Sequence, residues 1–219
     1  MIPLRDVIPS RTVPFITITI IVINALAWFV ELAQGPRDLN RFLYVYGLVP
    51  GDFHAATLVT SMFLHGSWSH IIGNMLYLWI FGDNVEDRCG HGRFVVFYLL
   101  CGLAAGAGQI LMNPSSMIPT IGASGAIAGV MGAYFVLYPH SRVLTFIPFP
   151  LFNVVEVPAI FLLGFWFLMQ LFNAGAVAAA AGTGGGGVAF AAHVVGFVAG
   201  MGGIFLFRKR EPAQQWEVR

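Results

Sequence analysis

The stretch IGASGAIAGVMGAY, residues 121–134, sets Ser124 among Gly122, Ala123 and Gly125, inside a run (94–141) without Asp, Glu, Lys or Arg. Glycine weakens a helix by about 1 kcal/mol relative to alanine, so the arrangement calls for a use. A hydroxyl at a helix N-terminus meets unpaired N–H groups and the positive end of the dipole, which stabilise an oxyanion. The ordinary reading of such a serine is a helix cap. A second segment, AFAAHVVGFVAG (189–200), supplies a base: His193 stands one turn inside another apolar helix. A neutral imidazole can take a serine proton and return it to a leaving amine. Ala192, Gly196 and Gly200 recur every four residues, as do Gly125 and Gly129, with Gly132 one turn on. Two such small-residue faces allow close backbone contact, and if they meet, the imidazole reaches the hydroxyl. A third segment, FLHGSWSHIIGNMLYLW (63–79), carries His70 and Asn74 four apart, hence on one helix face. Both can donate hydrogen bonds to a developing oxyanion. Ser67 or Ser69 is expected to cap that helix, and His65 to lie in the loop before it as an organiser. His65, His70 and His193 have no carboxylate or cysteine to complete a metal site. The expectation is therefore no metal and no cofactor.

These residues need elements to hold them. Of 219 residues, 58% are hydrophobic and 10% charged, against about 25% charged in soluble domains, so the chain belongs in a lipid bilayer. A net charge of +1 suggests no nucleic-acid partner. Cys89 and Cys101 stand in a charged turn and an apolar run, which argues against a disulfide framework. The first apolar run is long and lacks a small-residue cleavage site, unlike a secretory leader. Spanning helices need roughly 20 apolar residues. Helices are predicted over 14–33, 68–87, 94–112, 124–138, 151–172 and 189–207, in one domain covering 1–219. Internal repeats are not evident, which weakens an inverted-repeat transporter. With both termini cytoplasmic, that side holds nine Lys and Arg residues, while Arg37 and Arg41 alone face outward, as the positive-inside rule requires. The fourth helix, at 124–138, is about 22 Å long against a hydrocarbon core of about 30 Å. With His140 and Arg142 at the cytoplasmic surface, Ser124 stops below the outer surface. The 113–123 loop must then descend to a place where protein or water satisfies its backbone.

The order HxxxxHxxxN (His65, His70, Asn74), GxSG (Gly122 to Gly125) and AHxxGxxxG (Ala192 to Gly200) resembles the rhomboid family of intramembrane serine proteases, across essentially the whole chain. The resemblance implies an all-α integral membrane protein, a six-transmembrane-helix rhomboid-like bundle whose short fourth helix bears the nucleophile. It implies a Ser–His dyad of Ser124 and His193, an oxyanion site of His70, Asn74 and the Ser124 N–H, and structural support from His65, Gly122, Gly125, Gly196 and Gly200. Substrates would be single-span membrane proteins, entering past the 68–87 helix, the aromatic run FLLGFWFLM (161–169) and the glycine-rich tract 182–187. The site would open to the external or periplasmic side of the cell membrane. At one position the sequence departs from the family: Ala128 stands where members often carry an aromatic residue that stacks on the histidine. It also lacks an obvious Trp-Arg pair in the first loop. A rhomboid-like binding or escort factor is the alternative, although such relatives typically lose the serine or histidine kept here.

Overall fold

The computed structural model describes residues 1–148, 152–179 and 189–209. Its helices are α1 (Phe15–Leu32), α2 (Pro36–Tyr46), α3 (Thr57–Thr60), α4 (Trp68–Cys89), α5 (His91–Met112), α6 (Ser124–Leu137), α7 (Ala159–Ala179) and α8 (Phe190–Phe207). Four of them, α1, α5, α7 and α8, are long and apolar enough to cross a membrane, so this is a multi-pass membrane protein. The 22 residues of α4 end in Asp83, Glu86, Asp87 and Arg88, which makes its last turns polar. With 14 residues, α6 is about 21 Å long.

The centre of the bundle is α6. Every residue from Gly125 to Tyr134 is buried, as expected of a helix that is apolar all round. It runs parallel to α8, the Gly125 carbonyl lying against Gly196 and the Gly129 carbonyl against Gly200. A Cβ on either α8 glycine, or on Gly132, would overlap a carbonyl of the facing helix. On another side α5 runs antiparallel, bringing Ala105 against Gly125 and Cys101 against Gly129.

The far end of the bundle corrects the all-α expectation. Three antiparallel strands, β1 (Ile2–Asp6), β2 (Arg142–Ile147) and β3 (Asn153–Pro158), form a sheet ordered β1-β2-β3. Register runs from Ile2 opposite Phe146 to Asp6 opposite Val143, and from Arg142 opposite Pro158 to Ile147 opposite Asn153. The helix expected over 151–172 therefore begins only at Ala159. Val154, Val155 and Val157 are stiff at χ1 and favour a pleated strand, and Pro158 is tolerated at the end of an edge strand. The tract 182–187 lies outside the described residues.

Acidic side chains pin this end together. The N-terminus of α1 follows Pro14 and receives no cap from its own segment. Instead Glu86 of α4 accepts hydrogen bonds from the Ile16 N–H (3.0 Å), the Thr17 N–H (2.8 Å) and the Thr17 hydroxyl (2.7 Å). That places a negative charge at a helix N-terminus, where orphan donors want it. Asp87 accepts from the Thr12 N–H and hydroxyl. Asp6 accepts from the Tyr134 hydroxyl at 2.6 Å and from Asn84 Nδ2 at 3.0 Å, tying β1 to α6 and α4. Burial pushes the Asp6 carboxyl up to about 6 against the Tyr134 bond that lowers it, with Asp83 nearby adding to the rise.

Candidate active site

The loop into α6 reaches its depth because the preceding segment satisfies its backbone. Thr120 and Leu48 exchange two backbone hydrogen bonds, at 2.8 and 3.0 Å, and the Gly122 N–H donates to the Ser61 carbonyl at 2.8 Å. Gly122 has φ +124°, a conformation that needs glycine. A Cβ there would stand 2.7 Å from His70 Nε2 and 3.6 Å from Ser124 Oγ, filling the space between them. Ser124 is the first residue of α6, so its N–H has no intrahelical acceptor.

Ser124 Oγ lies 2.8 Å from His193 Nε2. On the other side of the imidazole, Nδ1 lies 2.8 Å from Gln170 Oε1. The Gln170 amide is oriented by its own Nε2–H, which donates to the Trp166 carbonyl one turn back, at 3.4 Å. An amide oxygen only accepts, so the histidine proton resides on Nδ1 and Nε2 accepts from the serine hydroxyl. That is the tautomer a general base requires. The Trp166 ring lies 5.7 Å from the imidazole, centroid to centroid, with 35° between planes. The aromatic neighbour absent at Ala128 thus comes from α7 rather than α6. Neither Gln170 nor Trp166 was singled out by sequence. Trp166 lay in the 161–169 aromatic run, and Gln170 is the one polar side chain between Ala159 and Phe172, a signal that could have found it.

At the head of α4, Ser67 Oγ caps the helix by accepting the His70 N–H at 3.2 Å. The Gly66 N–H donates to His70 Nδ1 at 3.4 Å, which leaves the proton on Nε2, the atom facing Gly122. Asn74 Nδ2 lies 3.0 Å from His65 Nε2. His65 is held in turn by α1: both Glu31 carboxylate oxygens accept its N–H at 3.1 Å. Burial, and then neighbouring His70, hold the His65 imidazole down at about 4, so it is neutral and can accept from Asn74. Glu31 is 1% exposed, a third site-supporting residue not singled out by sequence.

Ser124, His193, His70 and Asn74 line a single cavity of about 790 Å³, with Met62 and Ala105 on its walls. Among the described residues no group of three His, Cys, Asp or Glu side chains is arranged to hold a metal ion. The cavity brings together a serine hydroxyl hydrogen-bonded to an imidazole and a facing N–H donor, groups whose chemistry is that of acyl transfer.

The family model for the rhomboid domain matches residues 52–210. This chain belongs to the rhomboid family. It is 32% identical over 113 residues to rhomboid protein 1, mitochondrial, of Saccharomyces cerevisiae, covering 49% of this chain and 33% of that protein. It is 32% identical over 124 residues to rhomboid protease GluP of Bacillus subtilis, covering 55% and 24%. To rhomboid protease GlpG of Yersinia enterocolitica it is 32% identical over 111 residues, covering 51% and 33%. The match thus spans a third or less of each relative's own length.

Proposed function

We propose that this rhomboid is an intramembrane serine endopeptidase in which Ser124 is the nucleophile and His193 the general base. The observation that carries the reading is the hydrogen-bonded series Ser124–His193–Gln170, at 2.8 Å and 2.8 Å, opening into a cavity that His70 also faces. Two relatives bearing the name protease support it. Ser124 Oγ attacks the carbonyl carbon of the scissile peptide while its proton passes to His193 Nε2. The tetrahedral oxyanion receives hydrogen bonds from His70 Nε2–H, the second N–H of Asn74 Nδ2 and the Ser124 N–H. His193 then protonates the leaving amine, and water, deprotonated by the same nitrogen, releases the acyl group. The third member of the series is a neutral amide, which orients the imidazole without contributing a negative charge.

The substrates of this reading are single-span membrane proteins with a segment that unwinds into the cavity, reached from the bilayer. The chain forms one domain over 1–219 with six spans, counting α4 and α6 with the four apolar helices, and needs neither metal nor cofactor. Both termini and the sheet lie in the cytoplasm and the serine end opens outward from the cell membrane, the orientation favoured by the arginine asymmetry. Retention of both dyad side chains argues against a non-cleaving escort role. The test is cleavage of a reporter carrying a helix-breaking transmembrane segment by the purified chain in proteoliposomes. Ser124→Ala and His193→Ala each abolish cleavage, because nucleophile and base act as a unit. Asn74→Ala folds but is slower by about 10²–10³. Undiminished cleavage by Ser124→Ala overturns the mechanism.

A further inference from the structure

A second cavity, of about 1330 Å³, lies at the opposite end of the bundle from Ser124, where α4 ends, α5 begins and α8 ends. Its walls carry Arg88, Arg93, Arg208 and Lys209, with no carboxylate among the described lining residues. The carboxylate beneath it, Glu86, is buried and already engaged by α1 and by His91 Nδ1. Helix termini do not balance this charge. Two C-terminal ends contribute about −0.5 each and one N-terminal end about +0.5, so even Arg93, Arg208 and Lys209 alone leave a surplus above two positive charges.

The cations are built in. A single residue, Gly90, joins α4 to α5 with φ +81°, and the Lys209 side chain lies across it. Lys209 Nζ is 3.1 Å from where a Cβ on Gly90 would stand. The Lys209 N–H donates to the Arg88 carbonyl at 2.7 Å, which fastens the end of α8 to the last turn of α4. The ammonium thereby reaches the start of α5, whose first N–H groups have no helical acceptor. Nothing lies within 4 Å of the Cβ position of Gly92, so that backbone is open to a ligand. The rim is apolar: Phe205 and Leu206 are 54% and 82% exposed, on a helix long and apolar enough to span a bilayer. The Arg208 guanidinium sits 4.8 Å above the Phe205 ring, at the boundary between the two surfaces.

We propose that this cavity binds the phosphate of an anionic phospholipid, with the acyl chains lying along Phe205 and Leu206. A phosphodiester suits the donors of Arg93, Lys209 and the α5 N-terminus, which line one cavity. The adjoining apolar rim selects a membrane lipid over free phosphate, because only the lipid covers it. A basic pocket between helices on one membrane face has the chemistry for such a headgroup.

The test is native mass spectrometry of the full-length, delipidated chain in neutral detergent, titrated with phosphatidylglycerol, phosphatidylcholine or inorganic phosphate. Wild type retains one tightly bound phosphatidylglycerol. Arg93→Gln and Lys209→Gln each weaken it about fivefold, and together about thirtyfold, at the energy typical of one basic residue near an anionic surface. Lys209→Arg retains wild-type affinity, and so do Arg5→Gln and Arg11→Gln, which remove the same charge elsewhere. Equal phosphatidylglycerol binding by wild type and the double variant overturns the site. Loss in Lys209→Arg equal to that in Lys209→Gln assigns the effect to packing and also overturns it. Inorganic phosphate or phosphatidylcholine binding as tightly as phosphatidylglycerol overturns the anionic-lipid assignment.

Discussion

Two surfaces of α8 hold His193 in opposite ways. Toward α6 the contact is backbone on backbone, with glycine carbonyls seated against glycines and no room for a Cβ. Toward α7 it is ring on ring, Phe167 stacked on Phe197 at 4.7 Å and Trp166 beside the imidazole, with Gln170 supplying one hydrogen bond. Phe161, Phe165, Leu168 and Phe172 leave the rest of α7 largely exposed. Close-packed backbones have few alternative arrangements, whereas side chains on an exposed helix have many. The distance from Ser124 to His193 is thus set by the rigid contact, and the orientation of the imidazole by the adaptable one.

Of the two contacts, the rigid one should give the larger effect when broken. Gly200→Val drives a side chain into the Gly129 carbonyl, so α6 and α8 must separate. A displacement of about 1 Å at reacting groups costs about 10²-fold in rate, and overpacking destabilises by about 1–3 kcal/mol. Cleavage should fall at least that far and the melting temperature should drop. Leu100→Val, on the exposed face of α5, should leave both near wild type. A Gly200→Val protein of full activity and stability would show that the glycine contact does not set the dyad distance.

The adaptable contact should give a smaller loss of a different kind. Gln170→Ala removes the acceptor for His193 Nδ1–H and leaves the serine and its helix untouched. Partners that orient ligating histidines are worth about 10–100-fold, and a similar decrease in kcat with little change in KM is expected here. Gln170→Glu keeps an acceptor oxygen at the same reach and should restore most of the rate. Equal losses in both variants would reduce Gln170 to a packing residue.

The smallest effect lies at the sheet end and is read as pH dependence. The Asp6 carboxyl, raised by burial to about 6 from an ordinary value of 3.8, is more easily protonated folded than unfolded. Its contribution to stability is therefore complete below about pH 4 and disappears as pH rises through 6. Asp6→Asn keeps an oxygen for Tyr134 and Asn84 and stays neutral. Thermal melts at pH 4, 5, 6 and 7 should show the variant gaining on wild type across that window. A constant difference would mean that Asp6 does not titrate there.

The segments that converge on the cavity were legible because each carries a local reason for its residues. A serine between glycines, a histidine on a small-residue face, and a histidine and asparagine four apart make little sense as lipid-facing helix. Gly125, Gly129, Gly196 and Gly200 meet across the interface that their spacing suggested. Trp166 and Glu31 were not legible as site residues, because nothing in their own segments marks the partner they meet, and Gln170 stood out only as the one polar side chain in its run. Gln170 meets His193 across 23 residues, and Glu31 meets His65 across 34. The sheet was missed for another reason. From Leu151 to Phe172 a single charge, Glu156, interrupts an apolar run, and hydropathy alone does not separate a short β-branched strand from the first turns of a helix.

The central claim is that Ser124 is a nucleophile activated by His193, and covalent labelling tests it without requiring a substrate. The detergent-solubilised full-length chain is treated with a fluorophosphonate serine probe, and the adduct is located by mass spectrometry. The account predicts one adduct, on Ser124, that disappears in Ser124→Ala, falls to near background in His193→Ala and persists in Ser115→Ala and Ser116→Ala. An adduct on another serine, or undiminished labelling of His193→Ala, would contradict it.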